Sequence, residues 1–141
     1  MRVFFDTNVL ISAFIAHGAS SEVFEYCLTS CRVFISPFIL EEIKGVLSSK
    51  IRLSPARIED IIRFLRSNLE QVEAGPLGEP VCRDADDDFV LSGSLSAAAD
   101  CLITGDDDLL VLNTYKDIRI LKPGDFWRFE KSYRALRKRS R

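Results

Sequence analysis

Apolar positions along this chain follow two rhythms. Four short runs are dense in apolar or β-branched residues: Arg2–Phe5, Arg32–Ile35, Cys101–Thr104 and Ile118–Leu121. Each reads as a buried parallel strand, which needs no polar face. Between them, apolar residues recur at helical spacing. Val23, Phe24, Cys27 and Leu28 form one stripe, and Ile39, Leu40, Ile43, Val46 and Leu47 form another. Ile58, Ile61, Ile62, Leu65 and Leu69 form a third. Ser36-Pro37 and Ser54-Pro55 mark two helix starts, with serine as N-cap and proline in the first turn. Asn8 to about Ala16 reads as a helix stopped near Gly18, and Asp84–Asp88 leads into another that ends near Ala99. Gly93 inside that helix costs about 1 kcal/mol relative to alanine. A short helix passes through Leu109 and Leu110, and Pro123 opens a terminal helix carrying Phe126, Trp127 and Phe129. Val72 opens a short strand, and Ala74–Pro80, with two glycines and two prolines, is a loop. Strands alternating with helices predict an α/β fold: a three-layer αβα sandwich around a parallel sheet of four to five strands.

Composition narrows the class. The chain has 141 residues, 47% hydrophobic and 28% charged, which suits one globular domain rather than disorder or coiled coil. No apolar run reaches membrane-spanning length. Asp6 and Asn8 interrupt the apolar N-terminal stretch, so it does not read as a secretory signal, and a cytoplasmic location is expected. Cys27, Cys31, Cys82 and Cys101 lack zinc-ligand spacing, and with His17 as the single histidine they read as reduced thiols. That lone histidine also argues against Ser-His-Asp chemistry. The net charge of −2 is unevenly spread: residues 128–141 hold seven Lys or Arg against one Glu, while residues 1–127 hold 12 against 20 Asp or Glu.

The acids are the candidate chemistry. Asp6 and Asp106 follow strands, and sites in open parallel sheets form outside the carboxyl ends where strand order reverses. The helix start around Asp87 borders the same crevice, and Glu42 lies on the helix after the second strand. Carboxylates crowded together repel and gain protons unless a cation intervenes. An all-oxygen ligand set favours Mg²⁺ or Mn²⁺, and such a site suits phosphoryl chemistry. Asp84, Asp86 and Asp88 imitate the start of a calcium loop, but Phe89 stands where glycine is required and Leu95 where glutamate is required.

Four segments resemble, in order, the motifs of the PIN-domain family, a Rossmann-like fold of the PIN-like nuclease superfamily. They are Val-Phe-Phe-Asp-Thr-Asn-Val-Leu-Ile-Ser (residues 3–12), Ser-Pro-Phe-Ile-Leu-Glu-Glu-Ile (36–43), Asp-Ala-Asp-Asp-Asp (84–88) and Leu-Ile-Thr-Gly-Asp-Asp-Asp-Leu-Leu (102–110). The nearest resemblance is to PIN proteins assigned as toxins of toxin–antitoxin systems. It implies a single PIN domain over residues 1–130 and a basic tail over 131–141. It implies a metal-dependent endonuclease for single-stranded RNA, with Asp6, Glu42, Asp87 and Asp106 as catalytic residues holding one or two Mg²⁺ or Mn²⁺ ions. Activated water would attack in line, leaving a 5′-phosphate and a 3′-hydroxyl. Asn8, Thr104, Asp84 and Asp108 would orient ligands or water. Expected partners are single-stranded RNA, an antitoxin protein and a second copy of the chain in a homodimer or higher homo-oligomer, with no membrane. Lys131, Arg134, Arg137, Lys138 and Arg139 would contact nucleic-acid phosphates. Ser92, Gly93, Ser94 and Ser96 stand where the family more often has alanine, so these hydroxyls need partners. The alternative reading is a non-catalytic PIN-like module that binds RNA or protein. A haloacid-dehalogenase-type phosphatase also begins with a strand ending in Asp, but it wants a second Asp where this chain has Asn8.

Overall fold

Residue alternation along the first strand sets the layers. In the computed structural model, which describes residues 1–139, β1 (Arg2–Phe5) is a central strand, fully buried from Val3 to Phe5. Ser140 and Arg141, the end of the expected basic tail, lie outside the described residues. Successive strand residues point to opposite faces. Phe5 meets Phe24 of α2 (Ala19–Ser30) edge-on, ring centroids 5.5 Å apart. Phe4 meets Gly93 of α5 (Ala85–Ser96) on the other face. Helices therefore cover both faces, as the sequence predicts.

Beside β1 run β2 (Arg32–Ile35) and β4 (Cys101–Ile103), both parallel to it. The sheet order is β3-β2-β1-β4-β6-β5, with β3 at Glu70–Gln71, β5 at Thr114–Tyr115 and β6 at Ile118–Leu121. Six strands replace the expected four to five, and β5 is an antiparallel edge. The tight β5–β6 turn escapes sequence reading because Lys116 takes φ 53°, a region where glycine or asparagine is the usual marker. The third strand ends just before Val72 instead of opening there, and Val72 N–H extends the pairing by donating to Ile35 O at 3.0 Å.

The remaining helices are α1 (Thr7–Ile15), α3 (Pro37–Ser49), α4 (Pro55–Asn68), α6 (Asp107–Leu110) and α7 (Phe126–Arg139), the last preceded by a 3-10 turn at Pro123–Asp125. Among the described residues, no helix is long and apolar enough to cross a membrane. Ser36 Oγ accepts from Ile39 N and Ser54 Oγ from Arg57 N, each at 3.3 Å, so both serine-proline starts are true caps. Such caps contribute about 1 kcal/mol each. α7 runs unbroken across residue 130, pinned to α2 by a cluster of Tyr26, Phe126 and Trp127. All four cysteines are free thiols, with Cys27 and Cys101 buried.

Gly93 has a packing role. A Cβ built on it would sit 2.6 Å from Phe4 Cζ, and Phe4 is fully buried. The neighbouring serines have partners: Ser92 Oγ accepts from Gly75 N at 3.1 Å, and Ser94 Oγ donates to Val90 O at 3.1 Å. Gly93→Ala should therefore destabilise the fold by about 1–3 kcal/mol despite its gain in helix propensity. A urea unfolding curve reads this as a lower midpoint; an unchanged or higher midpoint would contradict the close approach.

Candidate functional site

The strand order reverses between β1 and β4, and their carboxyl ends define the crevice. Asp6 follows β1 and caps α1, with Oδ1 accepting from Thr7 N at 2.7 Å. Its other oxygen accepts from Thr104 Oγ1 at 2.7 Å. Thr104 follows β4 and is fully buried. The same hydroxyl accepts from Asp106 N at 3.0 Å, so one threonine ties the first acid to the last. Asp6 N donates to Ile103 O at 2.9 Å, and Thr104 N donates to Leu121 O at 2.9 Å. Backbone bonds therefore continue past the strand ends and fix the crevice floor.

Acids converge above that floor. Carboxylate oxygens of Asp87, Asp106 and Asp108 lie within 4.8 Å of one another. Asp87 is buried in the first turn of α5, and Asp106 caps α6 by accepting from Asp108 N at 2.9 Å. Burial pushes the Asp87 carboxyl up to about 7, reinforced by the charge and hydrogen bond of Asp106 and by the charges of Asp84 and Asp6. Burial also raises Asp6; the Thr104 and Thr7 bonds oppose it, and Asp106 adds to it. Arg83 places one cation here, with Nη2 2.7 Å from Asp108 Oδ1, but its side chain is 85% exposed. Cys82, pushed up to about 12 by burial and then by Asp88, stays a neutral thiol close to Asp87 and Asp106.

Glu42 joins from α3. Burial raises its carboxyl, and a 2.6 Å bond donated by Thr7 Oγ1 opposes that rise. The charges of Asp6, Asp86 and Asp84 raise it further. Thr7 thus links Glu42 to the Asp6 cap, a role absent from the motif-based expectation. Its signal was available: the residue sits between an acid at a strand end and the start of a helix.

The other expected residues are placed as follows. Asp108, expected only to support the ligands, stands in the tight acidic trio itself. Asp84 is exposed and caps α5, with Oδ1 accepting from Asp86 N at 2.9 Å. Asn8 is exposed in the first turn of α1. Asp88 serves the loop, accepting from Cys82 N at 2.8 Å and from Val81 N. The basic residues are elsewhere. Arg134 donates to Tyr26 Oη at 2.6 Å and pairs with Glu130 at 2.6 Å. Tyr26 lies in the second half of α2, which leads into the amino end of β2, where Arg32 N donates to Met1 O at 2.9 Å, so Arg134 lies toward the amino ends of the strands, away from Asp6. Arg137, Lys138 and Arg139 continue along that helix, and Lys131 is exposed on it about one turn before Arg134. The structure does not bring these five to the acidic cluster.

A family model described as "PIN domain" matches residues 2–108, and this span contains every acid of the crevice. This chain belongs to the PIN domain family. No curated protein matches it by sequence. Among solved structures, the PIN chain is similar to one in the crystal structure of VapBC2 from Rickettsia felis bound to a DNA fragment from their promoter. That match has a TM-score of 0.60 and 17% identity, and covers 85% of this chain and 97% of the other. At that identity the likeness concerns the fold.

Proposed function

We propose that this PIN domain is a divalent-metal-dependent endonuclease for single-stranded RNA, acting as the toxin partner of an antitoxin protein. The convergence of Asp87, Asp106 and Asp108 beside Asp6 carries the reading. The donor set fits the ion: all oxygen, crowded, and with Asp87 pushed up to about 7 in the absence of a balancing charge. Asp6, Asp87, Asp106 and Asp108 would hold Mg²⁺ or Mn²⁺, with Glu42 closing the α3 side. The bound ion would supply Lewis acidity toward a phosphodiester and a hydroxide-like nucleophile at neutral pH. Thr104 and Thr7 hold Asp6 and Glu42 with their acceptor oxygens fixed, so little reorganisation is needed when charge develops. The toxin assignment draws support from family membership and from the fold shared with a VapBC2 chain. Exposed Lys131, Arg137, Lys138 and Arg139 add attraction for a polyanion at long range, screened by salt.

Labelled single-stranded RNA, the same RNA as a duplex, and single-stranded DNA test the substrate class. Cleavage of the single-stranded RNA, leaving 5′-phosphate and 3′-hydroxyl ends, is expected. Intact RNA that remains bound would favour a non-catalytic binding module.

Thr7 provides a finer test. Thr7→Val removes the bond that opposes protonation of Glu42. The half-saturating Mn²⁺ concentration for cleavage should rise about tenfold, as for other residues that orient metal ligands. Thr7→Ser should restore it. An unchanged metal requirement in the valine variant would remove Glu42 from the site.

A further inference from the structure

A second groove, of about 510 Å³, runs between β6, the end of α6 and the first turns of α7. Arg119, Lys122 and Arg128 line it, with Asp125 as an opposing charge and Asn113 as a neutral polar group. All three cations are exposed, and among the described residues none makes an ion pair or a side-chain hydrogen bond. The groove between α3 and α4 differs: its Lys44 pairs with Glu41 and its Arg63 with Glu59 and Asp60. Arg119, Lys122 and Arg128 thus present three unpaired positive charges on one groove, in a chain with 21 acids against 19 bases.

Two backbone links tie the groove's walls to the acidic crevice. Lys122 directly follows Leu121, whose carbonyl accepts from Thr104 N at 2.9 Å. Leu110, on the groove wall, closes the helix that Asp106 caps, with Leu110 N donating to Asp106 O at 2.9 Å. A polyanion leaving the acids on this side would meet Lys122 at the carboxyl end of β6 first, with Arg119 further back along that strand.

We propose that this groove binds the phosphate backbone of the RNA strand flanking the scissile bond, with Arg119, Lys122 and Arg128 on successive phosphates. The proposal rests on the nuclease reading and adds the path of the substrate. An acidic crevice repels a polyanion except at its metal, so affinity must come from cations beside it. The groove supplies them, whereas Arg134 is committed to Glu130 and Tyr26 at the opposite end of the sheet.

The test is equilibrium binding of labelled single-stranded RNA to the full chain in Ca²⁺, across a salt series, with RNA integrity checked on a gel. Lys122→Ala combined with Arg128→Ala should weaken binding at least tenfold. It should also flatten the salt dependence by about 1.4 in log–log slope, from about 0.7 per single-strand phosphate contact. Both side chains are exposed, so the fold should survive, and a thermal melt checks it. Arg63→Ala combined with Arg66→Ala, on α4, removes the same charge and should leave affinity and slope near wild type. Wild-type affinity and slope in the groove variant, or an equal loss in the α4 control, would overturn the groove. A wild-type protein that binds no single-stranded RNA would instead overturn the nuclease reading and the groove together.

Discussion

Asp106→Asn is expected to reduce metal-dependent cleavage by about a thousandfold or more, and at the same time to raise the stability of the metal-free protein at pH 8. The two effects share one cause. Asp106 stands with Asp87 and Asp108 in a single cluster, and after burial it is the largest influence holding the Asp87 proton. Asparagine removes a ligand charge but keeps the structural role. The Asp106 side chain caps α6 by accepting from Asp108 N, and asparagine caps equally well. Relief of repulsion should therefore appear as a gain of about 0.5–2 kcal/mol, the usual trade between stability and a charged functional site. Initial rates with Mn²⁺ and a thermal melt in EDTA measure the two halves. A lost activity accompanied by a lower melting temperature would mean that Asp106 stabilises the fold, and that the acids are not in conflict.

The second large effect is on pH and metal. Asp87 is raised from 3.8 to about 7, so the folded state keeps a proton that the unfolded chain releases. Its contribution to stability is full below about pH 4, declines as pH rises through about 7, and is gone above that. Fully realised, that difference corresponds to about 4 kcal/mol at most. Asp106 and Asp108 remain partly exposed, so water screens the repulsion and about 1–2 kcal/mol is expected. Asp6 and Glu42, both raised, act in the same direction. In EDTA the protein should thus melt higher at pH 5.5 than at pH 8. Adding Mn²⁺ should reverse the order: at a hundred times its dissociation constant, a ligand adds about 2.7 kcal/mol, and only deprotonated acids bind it well. Equal melting temperatures in EDTA, or a Mn²⁺ gain as large at pH 5.5 as at pH 8, would contradict this.

Much of the site is legible in the sequence because its acids double as local structure. Asp6, Asp84 and Asp106 each cap a helix, and an N-cap leaves a mark in sequence: an acid or serine between a strand and a helical stripe. The two serine-proline starts are read for the same reason. What stayed hidden depends on contacts between distant segments. Thr7 gains its role from Glu42, 35 residues away, and Thr104 from Asp6, 98 residues away. Gly93 reads as a weak point in a helix until Phe4 is found against it. The strands β3 and β5 have two residues each, too short for any periodicity. The basic C-terminal residues look like an RNA contact in one dimension. In three dimensions Arg134 is bonded to Tyr26 of α2 and to Glu130 of its own helix, contacts that only the fold creates.

Cleavage of a labelled single-stranded RNA by wild type and Asp6→Asn, each with Mn²⁺, Mg²⁺ or EDTA, tests the central claim most directly. Asp6 accepts from Thr7 N and from Thr104 Oγ1, so its replacement by asparagine turns one acceptor into a donor at the centre of the crevice. The metal-centre account predicts cleavage by wild type with either ion, none in EDTA, and none by Asp6→Asn in any condition. Equal cleavage by both proteins, or cleavage that persists in EDTA, would contradict it.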